Sequence, residues 1–553
     1  MRPYRVTVTD PAGVATVSEL DQLGRETSVR VGGLAPTLRT YDLRGNLKRE
    51  EVAAGGTVYS WTSWSHNAFG ALTAERRPHY DGAGVSTVST TFTYDAAGRL
   101  ASVDGPRPAE DRLEYAYDAA GRLTLARTYT SATQAYDATY TYNDAGEMLQ
   151  QRVQLDAAGT SFWRRRFTYT RAGLLASATE VRPGADLITT HTYTPAGWLA
   201  SSTDPRGCTV THTYDDLGRE IGLDGGACGG RLSFSYLPDG SLEQASDLSS
   251  DITSSIAYDP AGRQLRVCAT PAPCTEQEAE TTYAYEVIRQ KPTGRLASVS
   301  TAAGTTSYAY DPNGLLKTID DPLSATGVST YAYDAAGRVV SRTDAQAGIT
   351  TSRTYEPQTG RVASQVVSGP GGTQLARFAA SYDEAGHITS RTSVLGAPGS
   401  DPRGGTTTYA YDAAGRLVRA TGPDPTDPAG VVRTFTYAYD GAGNLSSVGV
   451  DGQVATYALD ALGRPMRLDP GTPADPADDT TFSWDGASRL TGVDAPGTAA
   501  DRTFGYDGLG RLTAAVAGGQ QITYTLDALG RIASRTRGGQ TWSFTYEGTS
   551  SSL

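Results

Sequence analysis

The sequence has 553 residues, enough for several ordinary domains, yet no change of composition divides it. Its formal net charge of −12 disfavours nucleic acid and anionic membrane surfaces as main partners. It contains no run of 18 apolar residues, so no membrane-spanning segment is predicted, and Met1 to Asp10 lacks the apolar run of a secretory signal peptide.

The chain begins with two turns that are eleven residues apart. Thr9–Val14 contains the first turn and Asp21–Arg25 the second. Two turns per repeat predict two strands per repeat. One kind of turn, as at Asp21–Arg25, hardly varies along the chain, and we call it the motif turn. The other, which we call the second turn, varies in length, as at Asp204–Gly207 and at Gly538 with Gly539. Variable loops are therefore expected along one edge of a strip.

The motif turn is clearest in a heptapeptide, Tyr-Asp-Ala-Ala-Gly-Arg-Leu. It occurs three times unchanged and once with a terminal valine, at Tyr94–Leu100, Tyr117–Leu123, Tyr411–Leu417 and Tyr333–Val339. Looser copies bring the total to twenty-two, spaced 20 to 32 residues apart between Gly24 and Gly530. Internal repetition thus predicts a single continuous array over residues 1–553, with no separate catalytic domain or other appended domain.

The heptapeptide has the chemistry of a hairpin turn. Asp at the first place, small residues at the second and third, and Gly at the fourth predict a type I turn closed by a residue with positive φ. This is the three-residue hairpin with a glycine bulge. The structural turn residues of the four clearest copies are Asp95, Gly98, Arg99, Asp118, Gly121, Arg122, Asp334, Gly337, Arg338, Asp412, Gly415 and Arg416.

Two stretches depart from the regular spacing. Residues 30–90 hold the least regular copies, and residues 262–294 form the longest unit. The longer unit includes a proline loop and a motif turn lengthened through Ile288–Pro292, so it is the first candidate for a loop with a specific role.

Aromatic residues before each turn alternate with small or β-branched ones, as in Tyr115-Ala116-Tyr117, which places them on one face of a strand. Twenty-two hairpins make about 44 strands, and at about 4.8 Å per strand the sheet would be about 210 Å long. A flat sheet of that length is not expected, because strands twist. The predicted fold is all-β, with tandem antiparallel hairpins in one long spiralling sheet. Such a sheet either closes about one ring with a diameter of about 65 Å or makes two narrower turns. A parallel β-helix is the alternative.

The sequence contains no catalytic or nucleotide-binding motif, so we predict no enzyme and no cofactor. Its four cysteines lack the paired spacing of a zinc site, and no metal is predicted. Cys208 and Cys228 fall in corresponding second turns of successive repeats, whereas Cys268 and Cys274 flank a short proline loop. Two disulfides are one interpretation and free buried thiols the other.

With Tyr-Asp-x-x-Gly-Arg-Leu repeated along nearly the whole chain, the sequence resembles the RHS/YD-repeat family. That family includes rearrangement-hotspot proteins, the B and C components of Tc toxins, and teneurins. The resemblance implies a strip that spirals into a hollow bacterial shell, secreted or at the cell surface, around a toxin polypeptide. Such a carboxy-terminal cargo is expected to be absent from this sequence. The chain is expected to be the shell or a fragment of it, and further repeats of a longer chain are expected to join it.

A cell-surface scaffold is the alternative function. The same strip would serve as a cell-surface adhesion scaffold, with a protein or glycan bound along the edge of variable turns. Carbohydrate binding enters only through the resemblance, since the tyrosines are explained by a structural ladder.

Overall fold

The computed structural model describes residues 4–107, 111–181, 186–249, 251–288, 291–302, 304–321, 327–396, 403–424, 426–460, 463–472, 475–485, 487–497, 502–507, 509–526 and 531–544. These residues form 46 β-strands and three single-turn 3-10 helices. The helices are Gly226–Cys228, Pro370–Gly372 and Pro476–Asp478.

The strands, β1 to β46 in chain order, are Tyr4–Thr9, Ala15–Leu20, Glu26–Val31, Thr37–Tyr41, Leu47–Ala54, Thr57–His66, Leu72–Tyr80, Val85–Tyr94, Leu100–Asp104, Arg112–Tyr117, Leu123–Tyr129, Ala135–Tyr142, Met148–Gln154, Phe162–Tyr169, Leu175–Glu180, Leu187–Tyr193, Leu199–Thr203, Thr209–Tyr214, Glu220–Asp224, Arg231–Tyr236, Leu242–Asp247, Ile252–Tyr258, Gln264–Cys268, Ala279–Ile288, Lys291–Thr301, Gly304–Tyr310, Leu316–Asp320, Val328–Tyr333, Val339–Asp344, Ile349–Tyr355, Val362–Ser368, Gln374–Tyr382, Ile388–Leu395, Gly405–Tyr411, Leu417–Pro423, Val432–Tyr439, Leu445–Val450, Gln453–Leu459, Pro465–Asp469, Thr480–Trp484, Leu490–Asp494, Arg502–Tyr506, Leu512–Ala517, Gln520–Leu526, Ile532–Arg537 and Gln540–Ser543.

All 46 strands belong to one antiparallel sheet in which each strand pairs with its neighbours in the chain. At the motif hairpins the register shifts beside the last aromatic residue. Tyr94 pairs with Leu100, whereas Thr93 pairs with Ser102, which marks a bulge. The predicted tandem hairpins are thus confirmed, and the alternative of a parallel β-helix is wrong, because the strands alternate in direction.

Contacts between residues far apart in the sequence show that the strip winds on itself. The Gly33 amide donates to Oδ1 of Asn313 at 2.6 Å, and the Ala35 amide to the carbonyl oxygen of Ala335 at 2.6 Å. Such contacts join places 21 to 25 strands apart. We therefore call β1–β23 the first winding and β24–β46 the second winding. Of the two geometries expected from the sequence, the structure has the two narrower turns.

The surface area indicates a single-layered wall. A winding of about 23 strands at about 4.8 Å has a circumference of about 110 Å and a diameter of about 35 Å. The accessible surface is 29345 Å². A compact monomer of 58.2 kDa would expose about 19,000 Å². The excess is expected for a sheet that is not covered by a second layer.

Burial agrees with this architecture. The fully buried side chains of greatest volume are Thr281, Asp247, Cys268 and Ser255, rather than large apolar residues. Most other side chains are partly exposed. Stability therefore has to come largely from ladder hydrogen bonds and from contacts between neighbouring repeats, not from one closed hydrophobic core.

The irregular stretches also form the wall. Residues 30–90 contribute strands up to β8, with the motif-like turn at Asn67–Gly70 still hydrogen-bonded. In the longest unit, the loop after Gln264–Cys268 contains a cis bond between Ala272 and Pro273. The lengthened motif turn lies partly outside the described residues, since 289–290 are not described.

Candidate functional site

Each motif turn is held together by its aspartate. In the first identical copy, Asp95 Oδ1 accepts the amides of Ala97 and Arg99, both at 2.9 Å, and Oδ2 accepts Nε of Arg99 at 2.7 Å. The same Asp–Arg contact, at 2.7 Å, joins Asp118 to Arg122, Asp334 to Arg338, and Asp412 to Arg416. One carboxylate thus satisfies two turn amides and orients the arginine.

The fourth place of the turn has a left-handed backbone. Gly98, Gly121, Gly337 and Gly415 have φ of 80°, 84°, 79° and 77°. The amide of Gly98 donates to the carbonyl of Asp95, as in a type I turn. An L-residue with a Cβ is strained in this conformation, which explains the glycine.

The arginine of one turn also clamps the next repeat. Nη1 of Arg99 donates to the carbonyl oxygen of Asp118 at 2.9 Å, and its guanidinium lies 4.8 Å from the ring centre of Tyr117. The hydroxyl of Tyr117 donates back to the carbonyl oxygen of Leu100 at 2.9 Å. The motif therefore links neighbouring hairpins through a cation–π contact and two hydrogen bonds.

This clamp recurs in both windings. The ring-to-guanidinium distances lie between 4.2 and 5.5 Å at Arg25–Tyr41, Arg122–Tyr142, Arg219–Tyr236, Arg263–Tyr285, Arg295–Tyr310, Arg338–Tyr355, Arg361–Tyr382, Arg416–Tyr439, Arg464–Trp484 and Arg489–Tyr506. The sequence pattern predicts a ladder of neighbouring tyrosines but assigns the arginines no partner in the next repeat. The signal was present, because arginine and tyrosine recur together in the identical copies.

The electrostatics of the clamp keep its aspartates ionised and its tyrosine hydroxyls protonated. Hydrogen bonds from the Arg99 backbone, and from its side chain, lower the pKa of Asp95. The equivalent hydrogen bonds from Arg122 lower the pKa of Asp118. Burial raises the pKa of Tyr142. At neutral pH the aspartates stay ionised as acceptors and the tyrosine hydroxyl remains a donor.

The two windings meet along one line, which we call the seam. On one side are second turns of the first winding, and on the other are motif turns of the second winding. Nη1 of Arg107 donates to the carbonyl oxygen of Asp412 at 3.0 Å. The amide of Gly441 donates to the carbonyl oxygen of Leu155 at 2.9 Å. The variable turns do gather on one edge, but in the first winding much of that edge is covered by the second winding.

Ion pairs also cross the seam, joining Asp10 to Arg295 at 2.6 Å, Arg206 to Asp485 at 3.5 Å and Asp247 to Arg511 at 2.8 Å. Asp247 is only 2% exposed. Arg511 also bonds Asp507 of its own motif turn at 2.7 Å. A buried carboxylate without its arginine would be costly, so this pair favours the docked position of the windings.

The four cysteines form two disulfides. Cys208 is bonded to Cys228 with Cα atoms 5.9 Å apart, and Cys268 to Cys274 with Cα atoms 5.5 Å apart. The first bond joins successive second turns close to Arg206, so it ties together turns that face the seam. Among the described residues, no group of three or more metal-ligating side chains is arranged around a common point.

The Teneurin YD-shell profile matches residues 22–237 and 370–551, and an RHS Repeat profile matches residues 292–326 and 333–374. The first match covers more than half of the chain. The chain belongs to the teneurin YD-shell family. This RHS/YD-repeat shell protein has no match among curated protein sequences. No helix in the described part of the shell is long and apolar enough to cross a membrane.

A solved structure shares the fold of this YD shell. The Tc holotoxin pore of Photorhabdus luminescens matches with a TM-score of 0.53 at 14% identity, over 98% of this chain and 32% of that one. The TcdB2–TccC3–Cdc42 complex matches with a TM-score of 0.38 at 15% identity, over 97% of this chain and 38% of that one. The YD shell described here therefore spans about a third of the length of the chains it matches.

Proposed function

We propose that this chain forms the non-catalytic wall of a hollow shell that encloses a toxin polypeptide. The observation that supports this most is the seam, because docking one winding on the next turns an open strip into a continuous wall. Hydrogen bonds and ion pairs join the two windings along the seam, from Asp10 to Asp247 of the first winding.

The dimensions suit a polypeptide cargo. A ring about 35 Å across, less the thickness of the sheet and its side chains, leaves an interior wide enough for an extended chain or a small folded element. The Tc holotoxin shares this fold, and by analogy we propose a toxin as the cargo and a longer chain as its source. The two disulfides fit a protein that works outside the reducing cytosol, secreted or at the cell surface.

A cell-surface contact scaffold is the second candidate. It is favoured by a row of exposed apolar side chains on successive motif turns of the first winding. Leu23, Leu43 and Phe69 are all largely exposed, and Arg44 Nη1 contacts the carbonyl oxygen of Ala68, which shows that neighbouring turns touch. Such a row is a contact surface for a protein or glycan of a cell.

The experiment is protease protection of a disordered, protease-sensitive tail appended after Leu553. If the shell encloses polypeptide, the tail should be cut at least tenfold more slowly than the same tail on an ordinary globular carrier. A second variant carries Arg511→Ala, which removes one seam ion pair together with the contact of Arg511 to Asp507 in its own motif turn, and should restore cleavage in part. Equal cleavage on the shell and on the globular carrier would contradict enclosure, and binding to cell surfaces in that case would favour the scaffold.

A further inference from the structure

One joint between repeats lacks both halves of the clamp. At the fifth place of the motif turn beginning at Asp440 stands Asn444 instead of arginine, and the aromatic place of the next repeat holds Leu459. The Asn444 side chain stays with its own turn, where Nδ2 donates to Oδ2 of Asp440 at 2.9 Å. It lies against Gly463 of the next turn, but it carries no charge and is too short to lie over a ring as arginine does at joints such as that of Arg99 with Tyr117.

A cavity of about 440 Å³ opens beside this joint, in the seam. Its wall in the first winding contains the aromatic side chains of Tyr136, Tyr140 and Trp163, and its wall in the second winding contains Gly441 and Asn444. The volume falls in the range of small-molecule sites, which are about 300–1,000 Å³. Aromatic walls and an amide face each other across it.

The charge of the chain and the aromatic walls of the cavity select the ligand. Among the described residues no arginine or lysine lines the cavity, and its charged lining residue, Asp137, is already neutralised by Arg127, which holds it at 2.7 and 2.9 Å. The chain as a whole is strongly acidic. A cation is therefore favoured over an anion. Aromatic rings favour a flat cation that can stack on them, and guanidinium has that shape.

We propose that this cavity is a binding site for a guanidinium group, supplied by free arginine or by an arginine of a polypeptide. The ligand supplies the guanidinium that the motif arginine supplies at joints such as that of Arg99 with Tyr117. Its guanidinium stacks against the rings of Tyr140 and Trp163, and its N–H groups donate to the side-chain oxygen of Asn444 and to the hydroxyl of Thr128. Bound in the seam, it contacts both windings at once.

The test is calorimetric titration of the purified chain with three probes. L-arginine is expected to bind at least tenfold more tightly than citrulline, which has nearly the same shape but no charge. A blocked Ala-Arg-Ala peptide distinguishes free arginine from an arginine within a polypeptide as the natural ligand. Peptide binding at least equal to that of free arginine points to an arginine within a polypeptide, and weaker binding points to the amino acid. Both results support a guanidinium site, and neither requires a cargo inside the shell.

Variants locate the site. Asn444→Arg restores the motif arginine, which should fill the cavity and weaken arginine binding at least tenfold. Asn46→Arg makes the same change at a motif turn of the first winding that does not line the cavity, and should leave binding unchanged. Trp163→Leu, which leaves the turn intact, should weaken binding about fivefold, and keeps the test decisive if Asn444→Arg fails to fold. Citrulline binding as tightly as arginine, or full binding by a folded Asn444→Arg or Trp163→Leu protein, would overturn the proposal.

Discussion

The seam makes a sharp prediction at Gly441, the second place of a motif turn. Its φ is not in the left-handed region that favours glycine, and other copies have alanine at this place, so Gly441→Ala leaves the turn itself unstrained. An added Cβ would lie 1.9 Å from Cδ1 of Tyr136 and 2.3 Å from the carbonyl oxygen of Gln154, both across the seam. The substitution therefore perturbs the contact between windings and little else.

The magnitude follows from two losses. Pushing the windings apart breaks the hydrogen bond from the amide at position 441 to the Leu155 carbonyl, worth about 1 kcal/mol. Overpacking against the Tyr136 ring adds about 1–3 kcal/mol. Local opening of the seam should thus become easier by about 2–4 kcal/mol, which corresponds to a fall in hydrogen-exchange protection of about 30-fold or more.

The assay is hydrogen exchange followed by mass spectrometry of peptides that cover position 441. Ala96→Val is the control, because it adds a larger group at the same turn place on the exposed motif edge of the first winding. Its exchange should match that of the unchanged protein. If Gly441→Ala leaves protection at the seam within twofold of the unchanged protein, the windings do not meet there and the two-winding shell is refuted.

Three further results are expected. Gly121→Val should destabilise its hairpin by about 1–2 kcal/mol, since φ is 84° there, and chemical denaturation would measure it; an unchanged midpoint would contradict the turn assignment. Non-reducing digestion with mass spectrometry should recover a peptide linking Cys208 to Cys228, whereas a bond from either residue to another cysteine would contradict the register of the repeats. Burial raises the pKa of Asp485, but hydrogen bonds from Arg489 outweigh it and lower the pKa overall. Its stabilisation is therefore present above the unfolded pKa of about 3.9 and lost as pH falls through the lower folded value, so thermal unfolding should ease below about pH 4, and a melting temperature that does not fall there would contradict this.

The sequence by itself was sufficient for the local structure. Asp95 and Gly98 specify their turn through interactions within five residues, and alternation around Tyr117 specifies a strand face, so both can be derived from one copy of the repeat. Repetition then extends the hairpin along the chain, and strand twist requires the strip to coil. The resemblance to YD-repeat proteins rested on the same residues.

Only the tertiary structure decided the number of windings and the place where they meet. Small changes of twist at each strand, summed over 23 strands, separate one wide ring from two narrow ones, and no single repeat encodes that sum. The seam pairs such as Asp247 with Arg511 lie 264 residues apart, and their residue types are common in the repeats, so nothing in the sequence marks them as partners. The cavity beside Asn444 likewise depends on Tyr136 and Trp163 from the other winding, which only the docking of the windings brings near.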